Sequence, residues 1–317
     1  MDRKKEITGA ALKWIAIVTM LIDHIGAAYV EPLIFGEFGA YPETFFGIDA
    51  WTFYRILRSI GRVAFPIFIF LMVEGFFYTR NRKKYAIRLG VFCLISEIPF
   101  DLAFQPEDLA IFRNLSSLNR DSFSYTYQNV FFTLFIGFLT IWAMEAVKNY
   151  FAEKKLQLKP VGLCTPEGME LDDEDLTPNA DGLFPDTSDE AEKDSPYGAP
   201  ANSGQVLQSI CEILLLGLVI FVGSALAYFL HTDYSCMGVL AIVCCYVVKK
   251  KGGNYAAMMA APVIVLTLMS LTEALAAVDI VLVLFYRGNK GKNIGKYFFY
   301  AFYPAHLLVL GLIRWFM

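Results

Sequence analysis

Runs of about 20 apolar residues recur along this chain, each long enough to cross the hydrocarbon core of a bilayer as a helix. Nine can be placed, at roughly 11–30, 60–78, 86–104, 127–147, 206–230, 236–248, 255–271, 273–286 and 297–316. In lipid every backbone amide has to be satisfied within its own segment, which leaves helices as the spanning elements of such runs. The expected fold is therefore all-α, a polytopic membrane bundle of about nine transmembrane helices, with eight to ten as the range. The sixth and eighth runs are short, and each is tilted less or partly re-entrant. Composition agrees: 56% of the 317 residues are hydrophobic and 18% are charged, and a mean hydropathy of +0.47 excludes an ordinary soluble domain.

Orientation follows from Lys and Arg. Arg3, Lys4 and Lys5 precede the first run, "TRNRKK" follows the second, Lys148, Lys154 and Lys155 follow the fourth, "KKK" at 249–251 follows the sixth, and "YRGNKGKNIGK" follows the eighth. These are alternate loops; the opposite ones hold little beyond Arg113 and Arg120. The positive-inside rule then places the N-terminus in the cytoplasm. The first run is too long for a signal-peptide core and no small-residue cleavage site follows it, so it is expected to be retained. From Pro160 to Ser203 the chain is acidic and rich in Pro and Gly, with few residues able to build a core. Residues 151–205 are read as a disordered acidic cytoplasmic linker between a membrane part at 1–150 and a second at 206–317, the two forming one bundle. The six cysteines follow no metal or disulfide spacing: Cys93, Cys211, Cys236, Cys244 and Cys245 lie in apolar runs and Cys164 in the polar segment.

The chemistry starts in "IAIVTMLIDHIGAAYV", where Asp23 and His24 interrupt an apolar run. A charge near mid-membrane costs roughly 3 kcal/mol on insertion scales and marks a functional site by default. Lys13 and His24 are eleven residues apart, so on a helix they share one face with about 16 Å of rise between them. Asp23 points about 100° away. It is expected to hold the bundle by pairing with a cation on another helix, and the partner of His24 must also come from another helix. Arg55, Arg58 and Arg62 form one stripe at i, i+3, i+7 on the outer side, for which Glu97 and Asp101 of "SEIPFD" are candidate ion-pair partners. The functional alternative is an outward pocket for a polar or charged acceptor. Arg80, Arg82, Lys83, Lys84 and Arg88 form a dense basic run at the cytoplasmic side. Such a run fixes topology, meets anionic membrane lipid, or grips phosphates. In the last run Pro304 frees a backbone carbonyl and His306 follows two residues later, about ten residues into the span.

These stretches together resemble the TraX family, whose best-known member acetylates the N-terminus of conjugative pilin and which itself looks related to the acyltransferase-3 superfamily. The resemblance rests on "ALKWIAIVTMLIDHIGA", "GRVAFPIFIFLMVEGFFYTRNRKKYAIRL", "SEIPFDLAF", "QNVFFTL", "DYSCMGVL" and "FYRGNKGKNIGKYFFYAFYPAHLLVL". It covers most of the chain outside 150–205, and the acidic segment is not part of its pattern. It implies a bacterial inner-membrane acetyltransferase using acetyl-CoA, with a protein N-terminus or an envelope glycan as acceptor. Lys13 and His24 reproduce a spacing of basic residue and histidine that the superfamily requires for transfer. The resemblance makes His24 the general base, with Asp23 and His306 as further candidate catalytic residues. Lys13, Arg80, Arg82, Lys83, Lys84 and Arg88 would hold the cofactor, and Arg55, Arg58, Arg62, Glu97, Asp101 and Asn129 the acceptor side. His306 or Asn129 would donate to the developing oxyanion. No metal and no nucleic acid is expected. The competing class is a transporter or a non-catalytic membrane scaffold, which also uses buried charges and broken helices; neither an ion-coupling pattern nor an inverted repeat is evident.

Because the acidic segment has few residues for a core, deleting residues 165–200 and rejoining the ends is expected to leave an inserted protein with unchanged coenzyme A affinity. Loss of folding on deletion, seen in detergent size-exclusion profiles, would show instead that the segment docks on the bundle.

Overall fold

In a computed structural model, which describes residues 6–37, 39, 41–104, 127–157, 203–291 and 295–316, the chain is almost wholly helical. The expected linker core, residues 160–202, lies outside the described residues, as do Arg113, Arg120 and Cys164. Helix α1 (Gly9–Ile25) runs into a π-helical turn (Gly26–Val30) and the short α2 (Glu31–Phe35). A two-residue hairpin, β1 (Thr44–Phe45) with β2 (Ile48–Asp49), turns through Phe46 and Gly47, both at positive φ, as the tightest hairpin turns require. Then come α3 (Ala50–Gly61), α4 (Ala64–Tyr78), α5 (Arg82–Phe104), α6 (Val130–Gln157), α7 (Ser203–Phe229), α8 (Ser235–Lys250) and α9 (Tyr255–Met269). A 3₁₀ segment (Leu271–Ala277), α10 (Val278–Leu284) and α11 (Lys296–Phe316) complete the chain.

Among the described residues five helical stretches are long and apolar enough to cross a membrane: Gly9–Phe35, Ala50–Tyr78, Val130–Lys154, Val206–Phe229 and Tyr297–Phe316. The shorter Tyr255–Met269 is also apolar. The other expected runs are helical but fall short. Arg82, Lys83, Lys84 and Arg88 begin α5 and Glu97 and Asp101 end it, α8 has 16 residues, and the eighth run is divided between the 3₁₀ turn and α10. The second run starts about ten residues earlier than its apolar core, because α3 and α4 follow one another with only Arg62 and Val63 between them.

Polar residues mark the helix starts. Thr8 accepts from the Ala11 amide at 3.2 Å, Asp49 from Thr52 at 2.9 Å, Asn81 from Lys84 at 2.8 Å and Asn254 from Ala257 at 2.8 Å, each satisfying an amide with no helical partner. The chain divides into two compact units, residues 1–145 with 217–317, and residues 146–216. In the smaller unit the Gln208 side-chain amide donates to the Phe151 carbonyl at 3.4 Å. In the larger unit helices approach through small residues, as packing without a hydrophobic driving force favours. A methyl group placed on Gly137 would strike Ile242, on Gly223 Thr140, on Gly311 Leu102, and on Gly61 the Asp23 carboxylate. Gly61 matters most, because its missing side chain lets an ionised group of α1 lie against α3.

Gly61→Val is therefore expected to destabilise the folded protein by about 1–3 kcal/mol through overpacking at Asp23. The check is the thermal midpoint in detergent, compared with the same substitution at Gly217, where the added carbon would meet nothing.

Candidate functional site

α1 carries Lys13 and His24 on one unbroken helix, and the π turn begins two residues after His24. Such turns are rare and frequently sit at functional sites. His24 meets the other intramembrane histidine: its Nδ1 lies 2.7 Å from Nε2 of His306 on α11, with the rings nearly parallel at 8° and 5.0 Å between centroids. His306 Nδ1 lies 2.8 Å from the Phe302 carbonyl. A carbonyl only accepts, so His306 Nδ1 carries a hydrogen. With both rings neutral, His306 Nε2 is then an acceptor, His24 Nδ1 is the donor, and His24 Nε2 keeps a lone pair. Phe104 and Tyr303 pack edge-on against His24 at 5.2 and 5.9 Å, which fixes the ring plane. Both nitrogens of His306 are spent, so its expected role as oxyanion donor gives way to that of a partner orienting His24.

Toward the N-terminal end of α1 opens a cavity of about 820 Å³. Its wall includes Lys13, Arg88 and Lys290, with Glu74, Tyr85 and Tyr286. Phe131 and Tyr300 also line it, and Tyr303, which packs on Phe131 at 5.0 Å, lies between that wall and His24. Of the expected basic run only Arg88 belongs to the wall. Arg80, Lys83 and Lys84 are exposed, and Arg82 lies 4.2 Å over the Phe76 ring. The reason is helical: α5 turns only one face to the cavity, and Arg88 is about 9 Å of helix inward from Arg82 and on another face. Lys290 joins the wall from the basic loop that follows the eighth apolar run. That loop packs on the start of α1, where the Asn289 and Lys290 carbonyls accept from the Gly9 and Ala10 amides at 2.8 and 3.1 Å.

Toward the C-terminal end of α1 Arg58 donates to Asp23 at 2.7 Å, and Arg62 to Glu273 of the 3₁₀ segment at 2.6 Å. Arg58 is thus the cation from another helix that Asp23 required. Glu97 and Asp101 are not the partners of this stripe, and Arg55 is exposed. Glu97 instead accepts from the Asn129 side-chain amide, which also donates to the Cys93 carbonyl at 3.0 Å. Asn129 Oδ1 takes the Phe131 amide at 3.0 Å. Asn129 therefore caps α6 and ties it to α5; both of its N–H donors are occupied, and the expected oxyanion role does not fit. Among the described residues no three His, Cys, Asp or Glu side chains come together as a metal site would need.

Fold and site define a class: a helical membrane protein with a histidine pair set beyond a cation-lined cavity. The TraX protein family matches residues 8–154 and 204–314, well over half of the chain, and the chain belongs to the TraX family. The unmatched stretch coincides with the acidic segment. A probable fimbrial assembly protein FimC, serogroup H1, of Dichelobacter nodosus is 31% identical over 144 residues, 44% of this chain and 48% of that protein's length. The chain thus spans about half the length of that relative. No solved structure matches.

Breaking the Asp23–Arg58 pair from either side is expected to cost more than removing it whole, because a lone charge is left in a partly buried site. Asp23→Asn and Arg58→Gln should each lower stability by about 1–3 kcal/mol, and the double variant by less than their sum, as a double-mutant cycle on thermal midpoints would read.

Proposed function

We infer that the protein is a membrane acetyltransferase that takes its acyl group from acetyl-CoA on the cytoplasmic side and passes it to an amine or hydroxyl acceptor. It would sit in a bacterial inner membrane with a cytoplasmic N-terminus and about nine crossings. The pattern of Lys13 and His24 shared with the acyltransferase-3 superfamily points the same way. One observation carries the reading: the spacing between the cavity's cations and the histidine pair fits the donor. From phosphorus to sulfur the pantetheine arm has about 13 bonds, and at roughly 3.8 Å per three bonds of extended chain it spans about 16 Å. Lys13 and His24 are separated by about 16 Å of helix. A diphosphate held by Lys13, Arg88 and Lys290, whose charges suit it, would leave the thioester beside His24.

His24 then does the proton chemistry. Its free Nε2 takes the proton from the acceptor nitrogen or oxygen as that atom attacks the thioester carbonyl, forming the new amide or ester. His306 stabilises the imidazolium by keeping Nδ1 hydrogen-bonded, and His24 returns the proton to the departing sulfur as the C–S bond breaks. A positioned base of this kind contributes roughly 10²–10⁴-fold. The fimbrial name of the relative supports an acceptor among fimbrial or pilus subunits, and an envelope glycan would meet the same chemistry.

The test is transfer from labelled acetyl-CoA to components of a cell-envelope extract by purified protein. His24→Ala is expected to abolish transfer while coenzyme A affinity stays within about 3-fold, since the loss lies in the transition state. His306→Ala should slow transfer about 10–100-fold by freeing the His24 ring. Correctly folded His24→Ala protein that still transfers at the wild-type rate would sink the mechanism, and a transporter would bind no acetyl-CoA at all.

A further inference from the structure

The charged residues of the cavity wall are cations with one exception. Glu74 of α4 shares it with Lys13, Arg88 and Lys290 and is only 6% exposed. Its Oε2 accepts from the Tyr286 hydroxyl at 2.6 Å, whereas Oε1 is buried with no hydrogen-bond partner. A buried acceptor left unmet is costly, and what it lacks is an N–H or O–H group.

Depth identifies the supplier. Tyr286 is held beside the residues that precede α1: the Ile7 amide donates to the Phe285 carbonyl at 3.0 Å, and Ile7 and Tyr286 form an isolated bridge. Lys13 lies four residues, about 6 Å, beyond the first residue of α1, and Ile7 lies on the opposite side of that residue. The backbone of Tyr286, whose hydroxyl holds Glu74, is therefore on the N-terminal side of Lys13 along α1, while His24 is on the other. In coenzyme A the diphosphate has the pantetheine arm on one side and the adenosine on the other. With the arm directed to His24, the adenosine falls to the side of Glu74.

Resting on the acetyl-CoA reading above, we propose that Glu74 recognises the adenine of the donor, with Oε1 accepting a hydrogen bond from the exocyclic amine. Tyr78 and Tyr286, on the same wall, supply the flat aromatic surface that a base packs against. The assignment predicts a discrimination that cations cannot make. Hypoxanthine carries a carbonyl where adenine carries the amine, which sets an acceptor against a carboxylate, while every phosphate is unchanged. A purely structural Glu74, fastening the 286–291 loop to α4 through Tyr286, would not distinguish the two bases.

The experiment is equilibrium binding of coenzyme A and of its hypoxanthine analogue to the full-length protein in detergent. Wild-type protein is expected to favour adenine by about 10–100-fold. In Glu74→Leu the preference should fall below about 3-fold, and it should fall likewise in Glu74→Gln, whose amide can also donate to a carbonyl. Equal wild-type affinity for the two ligands overturns the role of Glu74 and leaves the acetyl-CoA reading standing. So does a preference that survives in Glu74→Leu or in Glu74→Gln. Wild-type protein that binds neither ligand overturns both readings. If Glu74→Leu fails to fold, the wild-type pair of affinities and the near-isosteric Glu74→Gln still decide.

Discussion

A hydrogen bond between two imidazoles 282 residues apart sets how the first and last helices of this chain meet. In the bilayer no water stands ready to replace a lost partner, so a polar contact dictates packing more strictly there than at an aqueous surface. The neighbouring contacts serve the same geometry. The Tyr29 hydroxyl donates to the Leu310 carbonyl at 2.6 Å, drawing the π turn to α11, and Arg314 donates to the Ala103 carbonyl at 2.9 Å, drawing α11 to α5. Gly311 clears the space for that approach. The rings meet because three helices are held close by groups that have no better alternative.

Asp23 and His24 show how one helix serves two purposes. Adjacent residues project about 100° apart, so the carboxylate faces α3 and the imidazole faces α11. The first contact is electrostatic and secures the C-terminal part of α1; the second sets a tautomer. A change in the charge pair reaches the histidine only through the shared helix, whereas the proton chemistry is decided by whether His306 holds its own hydrogen on Nδ1. That hydrogen is committed to the Phe302 carbonyl one turn earlier on α11.

Much of this was legible before any coordinates, and the rest has a physical reason for being hidden. Helix existence follows from apolar runs, and the common face of Lys13 and His24 follows from helical period. A period names a face and not the neighbour across it. For this reason Arg58 and Arg62 were matched to Glu97 and Asp101, although Asp23 and Glu273 take them. Asn129 stands just before an apolar run, the usual place of a helix cap. Glu74 interrupts an apolar run as Asp23 does and was open to the same reasoning. The π turn after His24 and the cavity position of Lys290 have no local sequence pattern, since both arise from how α1 meets distant segments.

The loop that closes over the start of α1 carries a further consequence. The first amides of a helix are a ready anion site, because they lack partners and sit at the positive end of the helix dipole. Here the Gly9 and Ala10 amides are already taken by the Asn289 and Lys290 carbonyls. An anion in the adjoining cavity is thereby left to flexible ammonium and guanidinium groups and gains little from fixed backbone donors. Attraction of that kind weakens as mobile ions accumulate, which makes occupancy of the cavity answer to the ionic strength of the compartment it opens to.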